Sequence, residues 1–199
     1  MDLQLLGKRA LVTGGSRGIG KAIARVLAQE GVDVALLART AQPLADAAAE
    51  LSAETGRRII GVVADTTSDE AVRQAVAQAA QQLGGPIDIL INNAAEPAGF
   101  AGPPPLADIT GSYFHQELDT KVMGYIRCAR EVAPGMKAQG WGRIVNISGL
   151  AARQTGNTVG SRVRPHCSAA ATACACQCSR LRSARSPSRR STERAQCKG

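Results

Sequence analysis

Thr13-Gly14-Gly15-Ser16-Arg17-Gly18-Ile19-Gly20 is the stretch whose residue types and spacing speak most directly of chemistry. It follows an apolar, strand-like run, Arg9-Ala10-Leu11-Val12, and leads into a helix-like one. A strand that stops in glycines and restarts as a helix leaves free N–H groups and the positive end of a helix dipole facing one spot, where a pyrophosphate can sit. Gly14 allows the tight turn, Gly18 lets the backbone approach a ligand with no Cβ in the way, and Gly20 lets the helix pack close on the strand. Glycines alone would read as an ordinary turn. With a strand before and a helix after, the loop, Ser16, Arg17 and Ile19 included, reads as a dinucleotide-binding site.

A second signal lies at the end of the next strand. Val32 to Ala38 is a nearly continuous apolar run, as expected of a parallel strand covered on both faces, and it ends in Arg39. An acid at that point usually holds a free ribose 2′-hydroxyl, whereas a 2′-phosphate needs a cation. No acid occupies positions 37 to 42. Arg39 can be read as a solvated side chain; as a cation in that place it favours NADP(H) over NAD(H).

The elements that must position these residues follow in order. A helix from about Gly18 to Glu30 places Ile19, Ile23, Val26 and Leu27 on one face, with Gly31 as its left-handed stop. Gln42 to Thr55 reads as a second helix with Leu44, Ala48 and Leu51 inward, and Arg58 to Ala64 as the third strand. Ser68, Asp69 and Glu70 suit a positive helix terminus, and Val72, Val76, Ala79 and Leu83 mark one face of the helix they open. Ile87 to Ile91 is the fourth strand, and Glu96 to Pro105 a surface loop. Asp108 to Gln139 is a long helical stretch with Phe114, Leu118, Val122, Ile126 and Ala129 at core spacing, bent or interrupted by Pro134. Arg143 to Ile147 is the fifth strand. Strand and helix alternating five times predict an α/β, Rossmann-type doubly wound parallel sheet of order 3-2-1-4-5, with a cofactor across its carboxyl ends.

The spacing T-G-x-x-x-G-x-G resembles that of the short-chain dehydrogenase/reductase family. Asn92-Asn93-Ala94-Ala95 is similar to its N-N-A-G segment, and Gly142-Arg143-Ile144-Val145-Asn146-Ile147-Ser148 to its fifth strand. The likeness covers about residues 5 to 159, taken here as one incomplete NAD(P)-binding domain over residues 1–159. It implies that Asn93 and Ala94 lie beside the cofactor, that Asp65 contacts the adenine, and that Arg17, otherwise a solvated side chain, is a second cation, which together with Arg39 favours NADP(H) over NAD(H). A cap for the helix after Asp65 is the other reading of that residue. It also implies alcohol or carbonyl hydride transfer, and a dimer interface formed largely by the long helix.

The family's proton-transfer residues are a tyrosine, a lysine four residues later, a serine after the fifth strand and an asparagine in the long helix. A phenol has a pKa of about 10, and a neighbouring ammonium is needed to draw it toward working pH. This chain departs at all four. Lys121 stands at the asparagine position, Gly149 at the serine position, no tyrosine follows Tyr125, and no lysine lies between Lys137 and Lys198. Ser148 is the nearest remaining hydroxyl, at a position the family uses structurally.

The loss coincides with a change of composition. Of the 199 residues, those from Gly160 onward carry nine Arg or Lys against one acid, Glu193, and so account for the whole net charge of +8. They hold Cys167, Cys174, Cys176, Cys178 and Cys197, whereas Cys128 alone precedes them. Val163 and Leu181 are their only large aliphatics, too little apolar area to offset chain entropy, so residues 160–199 are expected to be a disordered basic tail and the sheet to lack the usual last strands. A divergent relative that lost its proton-transfer group is one explanation; a frameshift near residues 160 to 162 is the favoured one. The fifth strand is then an open, aggregation-prone edge, and a homo-oligomer of the family type is doubtful. Cys174-x-Cys-x-Cys178 lacks the second pair that structural zinc sites use, so no metal is expected. Arg185 to Arg194 has no interleaved aromatics, so nucleic acid is not an expected partner. With no signal sequence at Met1 to Leu6 and no membrane-length apolar run, a cytoplasmic location is the default.

Overall fold

The computed structural model describes residues 3–95 and 110–148, and the backbone of 179–180. Its elements run β1 (Arg9–Thr13), α1 (Gly18–Gln29), β2 (Asp33–Ala38), α2 (Ala41–Thr55), β3 (Ile59–Val63), α3 (Asp69–Leu83), β4 (Ile89–Asn92), α4 (Gly111–Leu118), a π-turn (Asp119–Met123), α5 (Gly124–Ala138), β5 (Arg143–Asn146) and β6 (Ser179–Arg180). The first five strands are parallel in the order β3-β2-β1-β4-β5, as the alternation of apolar runs predicts. β1, β2 and β4 lie at the centre of the sheet, and their apolar runs are buried on both faces. One core, around Leu11, Leu37, Val62 and Leu90, is covered by α3 and α5; the other, around Val12, Leu36, Leu44 and Leu51, by α1 and α2.

Side chains at the amino ends of the strands lock the sheet from below. Asp88, 2% exposed, accepts from the backbone N–H and Nε of Arg9, each at 2.9 Å. Removing one partner of such a pair costs about 3–5 kcal/mol. The Trp141 ring carries two cations, Lys8 Nζ at 4.3 Å and the Arg143 guanidinium at 4.7 Å from its centre.

Three expectations need correction. In α1 the buried positions are Gly20, Ala24 and Ala28, while Ile19 and Val26 are exposed, because the small residues let the helix approach the sheet closely. In the long helical stretch Thr120, Gly124, Cys128, Val132 and Met136 turn inward. Phe114, Leu118, Val122 and Ile126 form an exposed stripe instead. The interruption is the π-turn, not Pro134, which lies within α5 on its exposed side, where water can serve the carbonyl that a proline leaves without a donor. The parallel sheet ends at β5 as expected, and the two-residue β6 pairs with it antiparallel at Arg143 and Ile144, where an edge strand's unpaired N–H and C=O groups accept an extended segment. The rest of residues 149–199, with Gly149, the cysteine alternation and the Arg185 to Arg194 segment, lies outside the described residues, as does the loop at 96–105.

Candidate functional site

Thr13, which periodicity places merely as the last residue of a buried strand, joins the carboxyl ends of β1 and β4. Its hydroxyl accepts from the backbone N–H of Asn93 at 2.9 Å and of Ala94 at 3.0 Å, and donates to the Ile91 carbonyl at 3.4 Å. Asn93 returns the contact, its side-chain amide donating to the carbonyls of Thr13 and Gly14 at 3.2 and 3.3 Å. The buried asparagine-rich segment thus finds its partners in the glycine loop, across the crevice where the strand order reverses. A hydroxyl-bearing residue directly before the glycines is the one signal in the sequence that could have marked Thr13.

The loop itself is tighter than spacing alone conveys. Gly14 has φ +67°, and Gly20 packs so closely on it that an added Cβ would stand 2.3 Å from the Gly14 carbonyl oxygen. Gly20 therefore serves contact with the loop and Asn93 as much as contact with the strand. The N–H groups of Gly14 and Gly15 are not free, because both donate to the Leu37 carbonyl, at 2.8 and 3.3 Å. The groups left to face a ligand belong to the start of α1. There Gly18, at φ +56°, opens on empty space, with nothing within 4 Å of an added Cβ. Arg17, the residue before the helix, is extended and makes no side-chain cap, and the first turn holds no acid. An exposed, uncapped, acid-free helix start fits a bound phosphate.

α2 begins in the same way. Thr40 makes no side-chain cap, the first turn has no acid, and the exposed Arg39 stands immediately before it. Arg39 also lines an open cleft of about 480 Å³ with Asp65, Thr67, His115, Gln116, Asp119 and Thr120. Asp65 does not cap the following helix. Its Oδ1 accepts from the backbone N–H and hydroxyl of Thr67, both at 2.9 Å, and Ser68 caps α3 by accepting from Ala71 N–H. The α4 and π-turn wall of this cleft has no signature in the sequence, since its members carry no periodic signal.

At the end of β5 the arrangement is structural. Asn92 donates to Asn146 Oδ1 at 2.8 Å and to the Tyr125 carbonyl at 3.3 Å, and the Tyr125 hydroxyl donates to the Ile147 carbonyl at 3.0 Å. Burial holds that phenol above its ordinary range, the opposite of what an acid working near neutrality needs. Lys121, inside the π-turn, is paired with Glu117 at 2.9 Å. Ser148 is exposed, just past the Ile147 carbonyl that Tyr125 holds. The thiol of buried Cys128 is pushed up to about 12 by desolvation, which keeps it unreactive. Among the described residues no group of His, Cys, Asp and Glu could hold a metal ion, and no helix is long and apolar enough to cross a membrane.

Relatives share this construction. Gluconate 5-dehydrogenase of Gluconobacter oxydans is 40% identical over 143 residues, which are 72% of this chain and 54% of that protein. The crystal structure of L-sorbose reductase from Gluconobacter frateurii complexed with NADPH and L-sorbose matches with a TM-score of 0.69 and 35% identity, over 76% of this chain and 56% of that one. NAD+-bound xylitol dehydrogenase matches with a TM-score of 0.66 and 36% identity, over 74% of this chain and 55% of that one. The chain thus spans about half the length of the curated relatives it matches. The model of the short chain dehydrogenase family matches residues 8–161, ending where the composition changes. On the glycine loop, the crevice behind it and this match, the chain belongs to the short-chain dehydrogenase/reductase family.

Proposed function

We propose that this chain binds NADP(H) at the carboxyl ends of β1, β2 and β4, and descends from enzymes that oxidise an alcohol or reduce a carbonyl. The observation that carries the reading is the open, uncapped start of α1 behind Gly18, set beside the Thr13 junction. Backbone amides at Gly18, Ile19 and Gly20 hold the pyrophosphate, and Ser16 and Arg17 flank it. Gly14 and Gly20 keep the turn tight, while Asn93 and Ala94 form the β4 side of the crevice. Arg39 faces the 2′-phosphate and Asp65 the adenine. Relatives of this fold include both an NADPH and an NAD+ complex, so the choice of NADP(H) rests on Arg39, on Arg17 and on the uncapped start of α2 beside Arg39.

A bound nicotinamide supplies or accepts the hydride; the chain must handle the proton. Tyr125 is committed to the Ile147 carbonyl and Lys121 to Glu117, and among the described residues Ser148 has no base hydrogen-bonded to it. Turnover is therefore absent or at least about a hundredfold below that of a complete relative, the usual contribution of general acid catalysis being about 10² to 10⁴. These same commitments favour a second reading, a module that binds NADP(H) without chemistry. Titration of NADPH fluorescence followed by a carbonyl-reduction assay tests both. Binding with residual slow conversion supports the first, binding with none the second. Absence of NADPH binding removes both.

A further inference from the structure

Arg127 is nearly buried and ties together pieces of chain that share one property: they wall the cleft beside Arg39. Its Nη1 donates to the Thr66 carbonyl at 3.2 Å and to the Asp119 carbonyl at 3.3 Å, and its Nη2 to Asp119 Oδ1 at 2.8 Å. Its Nε faces Asp69 Oδ1 at 3.3 Å without hydrogen-bond alignment. Thr66 lies between Asp65 and Thr67, which form one wall; Asp119 and Thr120 belong to the other.

The π-turn explains why such a tie is needed. Widening the helix by one residue makes the Asp119 carbonyl accept from Gly124 N–H, and Gly124 lies close against Thr66, just past β3. Gly124 permits that approach, since an added Cβ would stand 3.1 Å from Thr66 Oγ1. A widened turn has no ladder neighbour to hold its spacing from the facing loop. A planar guanidinium reaching both sides at once supplies that spacing, and a point charge cannot do the same.

We propose that Arg127 is a positioning residue for the adenosine end of the cofactor: by bridging Thr66 and Asp119 from behind, it sets the gap between the Asp65–Thr67 loop and the π-turn. The inference rests on the reading of this cleft as part of an NADP(H) site. It predicts that Arg127 acts on ligands that end at the adenosine, without touching them.

Adenosine 2′,5′-bisphosphate, titrated calorimetrically into the full chain, tests it. Arg127→Gln is expected to bind at least about tenfold more weakly, because small displacements of a binding wall are costly, with Arg127→Lys intermediate. Arg130→Gln is the control. Arg130 shares the Asp69 partner, at 2.6 Å, without reaching Thr66 or Asp119, and its loss should change affinity by less than about twofold. Amide exchange should quicken at residues 119–123 in the Arg127 variants and not at the start of α1. Unchanged affinity in Arg127→Gln, or an equal loss in Arg130→Gln, overturns the proposal. If Arg127→Gln fails to fold, Arg127→Lys decides it, wild-type affinity again being fatal. A wild-type chain that ignores the bisphosphate but binds NADPH overturns the adenosine assignment of the cleft. One that binds neither removes the proposed function itself.

Discussion

Among the described residues four helices begin at the carboxyl ends of this sheet, and they begin in two different ways. α3 and α4 are closed by their own side chains: Ser68 accepts from Ala71 N–H, and Thr110 from Tyr113 N–H, and Asp69 and Glu70 add negative charge to the first turn of α3. α1 and α2 have neither a side-chain cap nor an acid in the first turn. A cap is worth about 1 kcal/mol, so its absence at two helices on the same side of the crevice leaves four or so backbone donors at each for something else. A dinucleotide with a pyrophosphate and a 2′-phosphate carries an anionic group for each. On the proposed reading the incomplete starts of α1 and α2 receive those groups, while α4, which completes itself, lends His115 and Gln116 to the cleft wall.

The contrast breaks most visibly if α1 is made to resemble α3. Ile19→Glu places a carboxylate in the first turn of α1, where Ile19 is 64% exposed and packing is not disturbed. Stability should rise slightly, by about 0.3–1 kcal/mol, because the new charge complements the helix dipole. NADPH affinity should fall on the order of a hundredfold, because the same charge faces the pyrophosphate. Opposite signs in urea denaturation and fluorescence titration are the signature; equal affinity would mean that the pyrophosphate lies elsewhere. A smaller effect is expected at α2. Arg39→Ser should lower the preference for NADPH over NADH about tenfold, the loss of one charge-assisted hydrogen bond, and should leave NADH affinity nearly unchanged. An equal loss for both cofactors would assign Arg39 to the adenine rather than to the phosphate.

How far the sequence foretold this architecture depends on the kind of signal. The sheet order and the loop were legible because they rest on local features, apolar runs of strand length and glycines at set spacing. The faces of α1 and of the α4–α5 stretch differ from what periodicity predicts for one reason. Periodicity shows which apolar residues share a face, and it points to the largest of them as the buried ones. Here the sheet is met by Gly20, Ala24 and Ala28, and by Gly124 and Cys128, while Val26, Leu118, Val122 and Ile126 stay outside. Close packing selects small residues, and hydrophobicity alone does not reveal that. The cleft wall was invisible for another reason. Thr66, Asp119 and Arg127 meet only through a π-turn, whose extra residue shifts every later side chain on the helix, and no residue type announces such a turn.

The capped side of the comparison can be sharpened through Asp69, the first residue of α3. Its carboxyl is held below the ordinary aspartate range, chiefly by the hydrogen bond from Arg130 and then by the charges of Arg130 and Arg127. The folded chain thus binds that proton less readily than the unfolded chain does. The stabilisation is complete above the ordinary aspartate range, and it is lost as pH falls through that range to the lowered folded value. Because Asp69 is more than half exposed, solvent screens the pair and the effect is the smallest of those considered. Urea midpoints measured from pH 7 down to pH 3 should drop more for the wild-type chain than for Asp69→Asn, with the two curves converging at the acid end. Parallel curves would show that α3 is closed by Ser68 alone, and that Arg130 reaches for a charge it does not need.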